Sequence, residues 1–257
     1  MPAVGWCAAA PAVAHVLVAA LDDELTVAGA DGHHLQRVRR LRPGEAVTAA
    51  DGTGAWRPYH VVGAARGRVV LHAAGPPAVE PVLRPRLRIA CALTKGDGPD
   101  TVVRHATELA VDAVLPVLAA RSVARWSEAR QAQALARLRR VAAASAATQA
   151  RRARLLAVEP LQPLAGLAGR PGLVLADRGG EPAAALPDPG GDGWLVVVGP
   201  AGGLDPSERQ ALGAPPRLAV GPHVLRAETA GSAVAAALAG RRTPEPATTE
   251  GDPERGF

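Results

Sequence analysis

Lysine occurs once in this chain, at Lys95, isoleucine once, at Ile89, and asparagine not at all. Phenylalanine and tyrosine are equally scarce, one of each. The codons of all five are rich in A and T, so the gap marks a GC-rich genome that writes alanine and arginine wherever it can. The basic balance, a net charge of +5 and a pI near 10.4, is discounted accordingly as a sign of a polyanionic partner. Two distant cysteines, Cys7 and Cys91, give neither a disulfide framework nor a zinc pattern, and no metal is expected. No uninterrupted apolar run reaches the roughly 18 residues that span a bilayer. The apolar N-terminus lacks a basic flank and is broken by His15 and Asp22-Asp23-Glu24, so a secretory signal is not expected either. The expectation is a cytoplasmic protein without a membrane partner. Neither a GxGxxG nor a GxxxxGK[ST] stretch is present, which removes the usual dinucleotide and NTP sites.

What is present is enough for a core: 257 residues, 48% hydrophobic and 21% charged. The first 75 or so residues hold short alternating apolar runs separated by Asp-Gly and Gly-x-Gly breaks, the pattern of short strands in a small barrel. One basic helical turn interrupts them, with Leu35, Val38 and Leu41 at helical spacing and Arg37, Arg39, Arg40 and Arg42 between. Residues 76–85 are proline-rich and read as a linker. From Arg86 the texture changes to apolar strands alternating with helices, including a long Arg/Ala/Gln helix from about Ser127 to Ala153. That order predicts an α/β domain with a mainly parallel sheet over 86–240. Residues 241–257 carry nothing to bury and read as a disordered tail.

The chemistry gathers at the ends of three apolar runs, in Asp177-Arg178-Gly179-Gly180, in Gly199-Pro200-Ala201-Gly202-Gly203 and in Gly221-Pro222. In an open parallel sheet, ligands bind outside the carboxyl ends of the strands, so these loops are expected to converge on one pocket. Each alone reads as a structural turn. The last is the most crowded: His223, Arg226, Glu228 and Thr229 fall within seven residues, ahead of a helix that the alanines place from about Ser232. Glu228 and Thr229 read equally as caps of that helix or as functional groups. The second arginine cluster, Arg137, Arg139, Arg140, Arg151, Arg152 and Arg154, suits RNA or a solvated helix face.

Together these stretches resemble a known family. "VVVGPAGGL" followed by "LAVGPHVLRAETA" is similar to the signature of SPOUT methyltransferases, and more narrowly to the ribosomal RNA small subunit methyltransferase E family. "HHLQRVRRLRPGEAVTAADGTG", "LTKGDGPDTVVRHATELAVDAVLPVLAARSVARW" and "TQARRAR" resemble further segments of that family, in the same order. The implied fold is α/β, a SPOUT trefoil-knotted, mainly parallel sheet flanked by helices and preceded by a small PUA-like β-barrel domain. The implied activity is methyl transfer from S-adenosylmethionine (SAM) to N3 of a uridine in 16S rRNA, free or within the small ribosomal subunit. A homodimer is implied as well.

Residue by residue, the resemblance places SAM against Leu175, Val198, Gly199, Pro200, Gly202, Gly203, Val220, Gly221, Pro222 and Leu225. Arg226 is the implied catalytic residue, a guanidinium that pairs with a uracil oxygen; Glu228 is implied to orient Arg226 or accept the N3 proton, and Thr229 to bond the cofactor or the uracil edge. RNA contacts fall on His34, Arg37, Arg40, Lys95, Asp97, Gln149, Arg152 and Arg154, and Glu108 is expected in a buried hydrogen bond to Arg121 or Ser122. The chain departs from the family pattern at Ala201 and Thr148, where glutamate is usual, and at Gly98, where arginine is usual. Ala201 motivates an alternative, a SAM-binding RNA-binding protein with weak or no catalysis. A third reading keeps the fold and moves the methylation to another RNA.

Overall fold

The computed structural model describes residues 12–124 and 126–245, so Cys7 and the last twelve residues of the expected tail lie outside the described residues. Strands β1 (Ala14–Leu17), β2 (Glu24–Val27), β3 (Ala46–Ala50), β4 (Ala55–Ala65), β5 (Arg68–Ala73) and β6 (Ala78–Val79) form one sheet in the order β1-β3-β4-β5-β2, with β6 beside β4. Only the β1–β3 pair is parallel. The β4–β5 hairpin turns on Arg66-Gly67, both at positive φ, the turn whose twist matches that of paired strands. Every second residue of these strands points inward, so Val47, Ala49, Tyr59, Val61, Val69 and Leu71 close a single core.

The basic turn is helical but shorter than its spacing suggests. It consists of α1 (Gly29–His33) and one π-turn, His34–Val38. Leu35 and Leu41 are buried as expected, whereas Val38 is 64% exposed, because the π-turn breaks the 3.6-residue period. His34, Arg37, Arg39 and Arg40 are all exposed.

The second sheet is entirely parallel. Strands β8 (Leu87–Ala92), β9 (Ala113–Leu118), β10 (Ala157–Val158), β12 (Leu173–Glu181), β13 (Trp194–Val198) and β14 (Arg217–Leu218) lie in the order β10-β9-β8-β13-β12-β14, and β11 (Gln162–Pro163) also pairs with β9. Its continuous apolar runs follow from burial on both faces. On β8 and β13, Leu87, Ile89, Trp194, Val196 and Val198 enter one core, while Ala90, Ala92, Leu195 and Val197 enter the other. The first core is covered by α2 (Gly98–Glu108), α3 (Glu128–Ser145) and α5 (Ala227–Ala239). The second lies under the 3-10 turn Leu164–Leu167 and α4 (Pro206–Leu212). The helix expected to Ala153 ends earlier: α3 passes into a π-turn, Ala146–Ala150, and Arg151 adopts the left-handed conformation that stops it.

The segment expected as a linker is tied down at both ends. Its β6 joins the first sheet, and its β7 (Leu83–Arg84) pairs with β15 (Thr243–Pro244). Residues 241–245 are therefore folded rather than tail. Arg242 explains this, because its guanidinium is buried and donates to Asp112 and to the carbonyls of Leu83, Pro85 and Ala110.

The two sheets meet through charged groups. Arg152, 6% exposed, donates to the carbonyls of Thr107 and Val111, both at 3.2 Å, and its Nε lies 3.6 Å from Glu80 Oε1. At that length the Glu80 contact is an ion pair and not a hydrogen bond. Glu80 Oε2 accepts from the backbone N–H of Arg154, whose guanidinium donates to the carbonyls of Thr53 and Glu80. His15 completes the junction. Its Nε2 donates to Arg152 O at 3.1 Å, since a carbonyl can only accept, which leaves Nδ1 to accept from the Thr48 hydroxyl at 2.8 Å. Arg152 and Arg154 were expected on an RNA face. The structure turns them to the first sheet instead, where Arg152 pairs with Glu80 and Arg154 donates to the carbonyls of Thr53 and Glu80.

Candidate active site

The parallel sheet aligns β12, β13 and β14, and Leu175–Gly179 of β12 with the loops leaving β13 and β14 enclose a cavity of about 550 Å³. That volume falls within the roughly 300–1,000 Å³ of small-molecule sites. Close approach of β12 to β14 needs a glycine: a Cβ on Gly180 would stand 2.5 Å from the Arg217 carbonyl carbon. Gly203 lies at φ +71° and accepts the left-handed turn that brings the β13 loop back to α4. That loop and α4 are clamped from the segment after β9, where Arg121 Nη1 donates to Gly202 O at 3.0 Å and the Ala120 N–H donates to Glu208 at 2.7 Å. Asp205 and Glu208 then form a reciprocal capping box at the start of α4.

Of the ten residues assigned to the cofactor from sequence, Leu175, Val198, Gly199, Pro200, Gly203, Val220, Gly221 and Leu225 line the cavity. Gly202 and Pro222 do not: the first faces Arg121 and the second is exposed. Ala201 lines the wall with a methyl where the family pattern carries a carboxylate. Among the described residues, the backbone N–H groups of Val220, Gly221, His223, Val224 and Leu225 have no protein acceptor. Five donors along one loop suit a ligand rich in acceptors.

Arg226 stands between two lining residues, Leu225 and Ala227, and is exposed, with no ion pair or hydrogen bond to its guanidinium among the described residues. Helix α5 begins right after it, five residues before Ser232. Arg226 is the N-cap, its carbonyl accepting from the Ala230 N–H at 2.8 Å, with no side-chain cap. Thr229 is therefore inside the first turn rather than at the cap. Glu228 shares that turn but does not line the cavity and makes no ion pair with Arg226; its Oε2 is directed toward Gly98, 3.7 Å from where a Cβ there would sit. A Cβ on Gly98 would also collide with the Thr94 hydroxyl. Burial, with a smaller push from Glu228, raises the nearby Cys91 thiol to about 12.

Lys95, Asp97 and Gln149 are exposed, as His34, Arg37 and Arg40 are. Glu108 is exposed at the end of α2 rather than bonded to Arg121 or Ser122. The expected bond is absent because α2 ends at Glu108, and the two supposed partners are engaged with Gly202 and the Ala119 N–H. Sequence reasoning passed over Arg209, which reaches the cavity from α4, and placed Asp177 in the Leu175–Arg178 wall of the pocket without giving its side chain a role. Only the position of Asp177 at a strand end hinted at it.

Comparison with known proteins gives this cavity its setting. Residues 82–239 match the RNA methyltransferase domain family, and residues 27–72 match the RNA methyltransferase PUA domain family. Two proteins named ribosomal RNA small subunit methyltransferase E, from Mycobacterium bovis and Mycobacterium tuberculosis, are each 36% identical over 222 residues, covering 82% of this chain and 84% of their own. The chain belongs to the ribosomal RNA small subunit methyltransferase E family. A crystal structure from the same family, from Neisseria gonorrhoeae and bound to S-adenosyl methionine, superposes with a TM-score of 0.76 at 22% identity, covering 88% of this chain and 96% of that one. A putative methyltransferase from Legionella pneumophila, in complex with SAM, gives the same score at 19% identity, covering 88% and 97%. These two establish the fold: a parallel α/β methyltransferase sheet behind a PUA domain. Among the described residues no helix is long and apolar enough to cross a membrane, and no group of three or more His, Cys, Asp or Glu could hold a metal.

Proposed function

We propose that this ribosomal RNA small subunit methyltransferase E family member transfers a methyl group from SAM to N3 of a uridine in 16S rRNA. One observation carries the reading: a backbone-lined cavity with free N–H donors, and an unpaired guanidinium, Arg226, at its rim. SAM, when bound, supplies an electrophilic methyl on a sulfonium. The Val198–Gly203 and Val220–Leu225 loops hold it by main-chain contacts, which position the reacting methyl and exclude water from one side. Uridine N3 must lose its proton before it attacks, and the anion then spreads onto the uracil oxygens. Arg226 stabilises that charge, since a guanidinium stays ionised and donates in a fixed fork. Glu228 and Thr229 sit behind it on the first turn of α5, where a carboxylate complements the helix N-terminus. Glu228 points away from the cavity, so the N3 proton leaves at the exposed mouth, beside His223.

The substrate base is extruded from its stack to reach the cavity. His34, Arg37, Arg40, Lys95, Asp97 and Gln149 contact the RNA in this reading, whether free 16S rRNA or the small subunit, with residues 1–75 as the RNA-binding barrel and 86–240 as the methyltransferase domain. The return of the chain to place β13 between β8 and β12 suits a trefoil knot around the β13 and β14 loops. The protein acts as a homodimer in the cytoplasm. Val224, apolar and 75% exposed on the cavity loop, supports cover by a second copy. Purified chain incubated with methyl-labelled SAM and 16S rRNA or small subunits tests the reaction. Label recovered as 3-methyluridine supports it, and label in another nucleoside, or none, rejects it.

A further inference from the structure

One carboxylate faces the cavity. Asp177, on β12, lines it together with Arg178, Arg209 and His223, and no other Asp or Glu does so among the described residues. Glu228 is directed toward Gly98, and position 201 holds alanine. Asp177 is also firmly held. Its Oδ1 accepts from the Gly179 N–H at 2.9 Å and lies 3.9 Å from Arg217 Nη1, and its Oδ2 accepts from Arg209 Nη1 at 3.0 Å. The side chain is 19% exposed, enough to meet a ligand and too little to move freely.

Three arguments narrow what it meets. The Gly179 N–H first, and then Arg209, hold the carboxyl below the usual carboxylate range, so it is a poor proton acceptor at neutral pH. Two guanidiniums beside it oppose a further cation such as the ammonium of an amino-acid moiety. Each carboxylate oxygen still has a lone pair free after the bonds above. Two acceptors 2 Å or so apart, fixed in space and short of neutral donors, match a vicinal diol, and acidic side chains at strand ends recognise ribose in this way in other α/β folds.

We propose that Asp177 recognises the ribose of the adenosyl group by accepting hydrogen bonds from its two hydroxyls, with Arg209 as the positioning residue that fixes the carboxylate. The proposal rests on the SAM reading above. Calorimetric titration of the full chain with S-adenosylhomocysteine and its 2′-deoxy and 3′-deoxy analogues tests it, on the wild type and on Asp177→Asn. Asparagine keeps an acceptor for the Gly179 N–H, and an unchanged melting temperature shows that the turn survives. Asp177→Asn should weaken S-adenosylhomocysteine about 10- to 100-fold, the usual worth of hydrogen bonds to a charged group. Loss of a ribose hydroxyl should cost the wild type a similar factor and the variant under about threefold, because the charge and one of the two acceptor oxygens are already gone. Arg209→Gln should show a smaller loss, confined to hydroxyl-bearing ligands. Equal costs of the deoxy analogues on both proteins, or a variant that binds within about twofold of wild type, would overturn the proposal. A wild-type chain that binds neither SAM nor S-adenosylhomocysteine would overturn the cofactor reading itself.

Discussion

Glu80→Gln tests the junction between the two sheets. The carboxylate is buried, and it faces Arg152, which is equally buried. Glutamine keeps an oxygen for the Arg154 N–H and removes only the charge, so the variant leaves a desolvated guanidinium with two carbonyls as its bonded partners. Breaking a buried pair from one side costs about 3–5 kcal/mol. Asp112, whose charge also favours the ionised Arg152, holds the loss near the lower end, about 3 kcal/mol. For a chain of this size that lowers Tm by roughly 6–12 °C. Urea unfolding at pH 7 reads it as a fall in midpoint at constant slope. Arg152→Met in the same background removes the stranded cation and should restore part of the loss, since the penalty is an uncompensated charge. A single variant within about 1 kcal/mol of wild type, or a double variant no more stable than the single, would refute this account of the junction.

Arg226→Ala should lower kcat about 10²- to 10³-fold, the usual cost of removing one donor at a developing anion, with SAM affinity changed less than a few-fold; a large loss of SAM binding in calorimetry would place Arg226 on the cofactor. Burial lowers His15 from the ordinary 6.5 to about 4, so the unfolded chain takes up a proton that the folded chain refuses. Stability from this group is complete above about pH 6.5 and falls by up to about 3 kcal/mol as the pH drops toward 4, and thermal melts of wild type and His15→Gln between pH 8 and 4.5 should converge at the acid end. In a Cys7→Ser chain, Cys91 should resist a disulfide-exchange reagent at neutral pH until denaturant is added, because its buried thiol ionises only near 12; rapid labelling of the native protein contradicts this.

The legible parts of the sequence were those in which one physical demand dominates. The runs at Leu87–Ala92 and Trp194–Val198 read as strands buried on both faces because they are apolar throughout except for Arg88, one residue from the start of the first, and they are such strands. The glycine-bearing loops read as a convergent pocket because parallel strands share a carboxyl edge, and eight of ten assigned residues line one cavity. The illegible parts depended on direction. Arginine carries the same letter whether it faces solvent or a carbonyl, so Arg152 and Arg154 read as RNA contacts and are junction groups. Their partner Glu80 sat in a proline-rich stretch with no apparent role. Helix α5 begins at Ala227 behind an arginine N-cap, which offers none of the usual capping side chains, so its start was placed late. Strands of two residues, such as β7 and β15, are too short to show any period, and the ordering of 241–245 comes from one buried side chain, Arg242.

The central claim is the chemistry at uridine N3, and nucleoside analysis of 16S rRNA measures it most directly. Small-subunit RNA from cells with and without the gene is digested and its methylated nucleosides are quantified by mass spectrometry. The account requires 3-methyluridine at one position to be present with the gene, absent without it, and restored by the wild-type chain but not by Arg226→Ala. Unchanged 3-methyluridine on loss of the gene would contradict it.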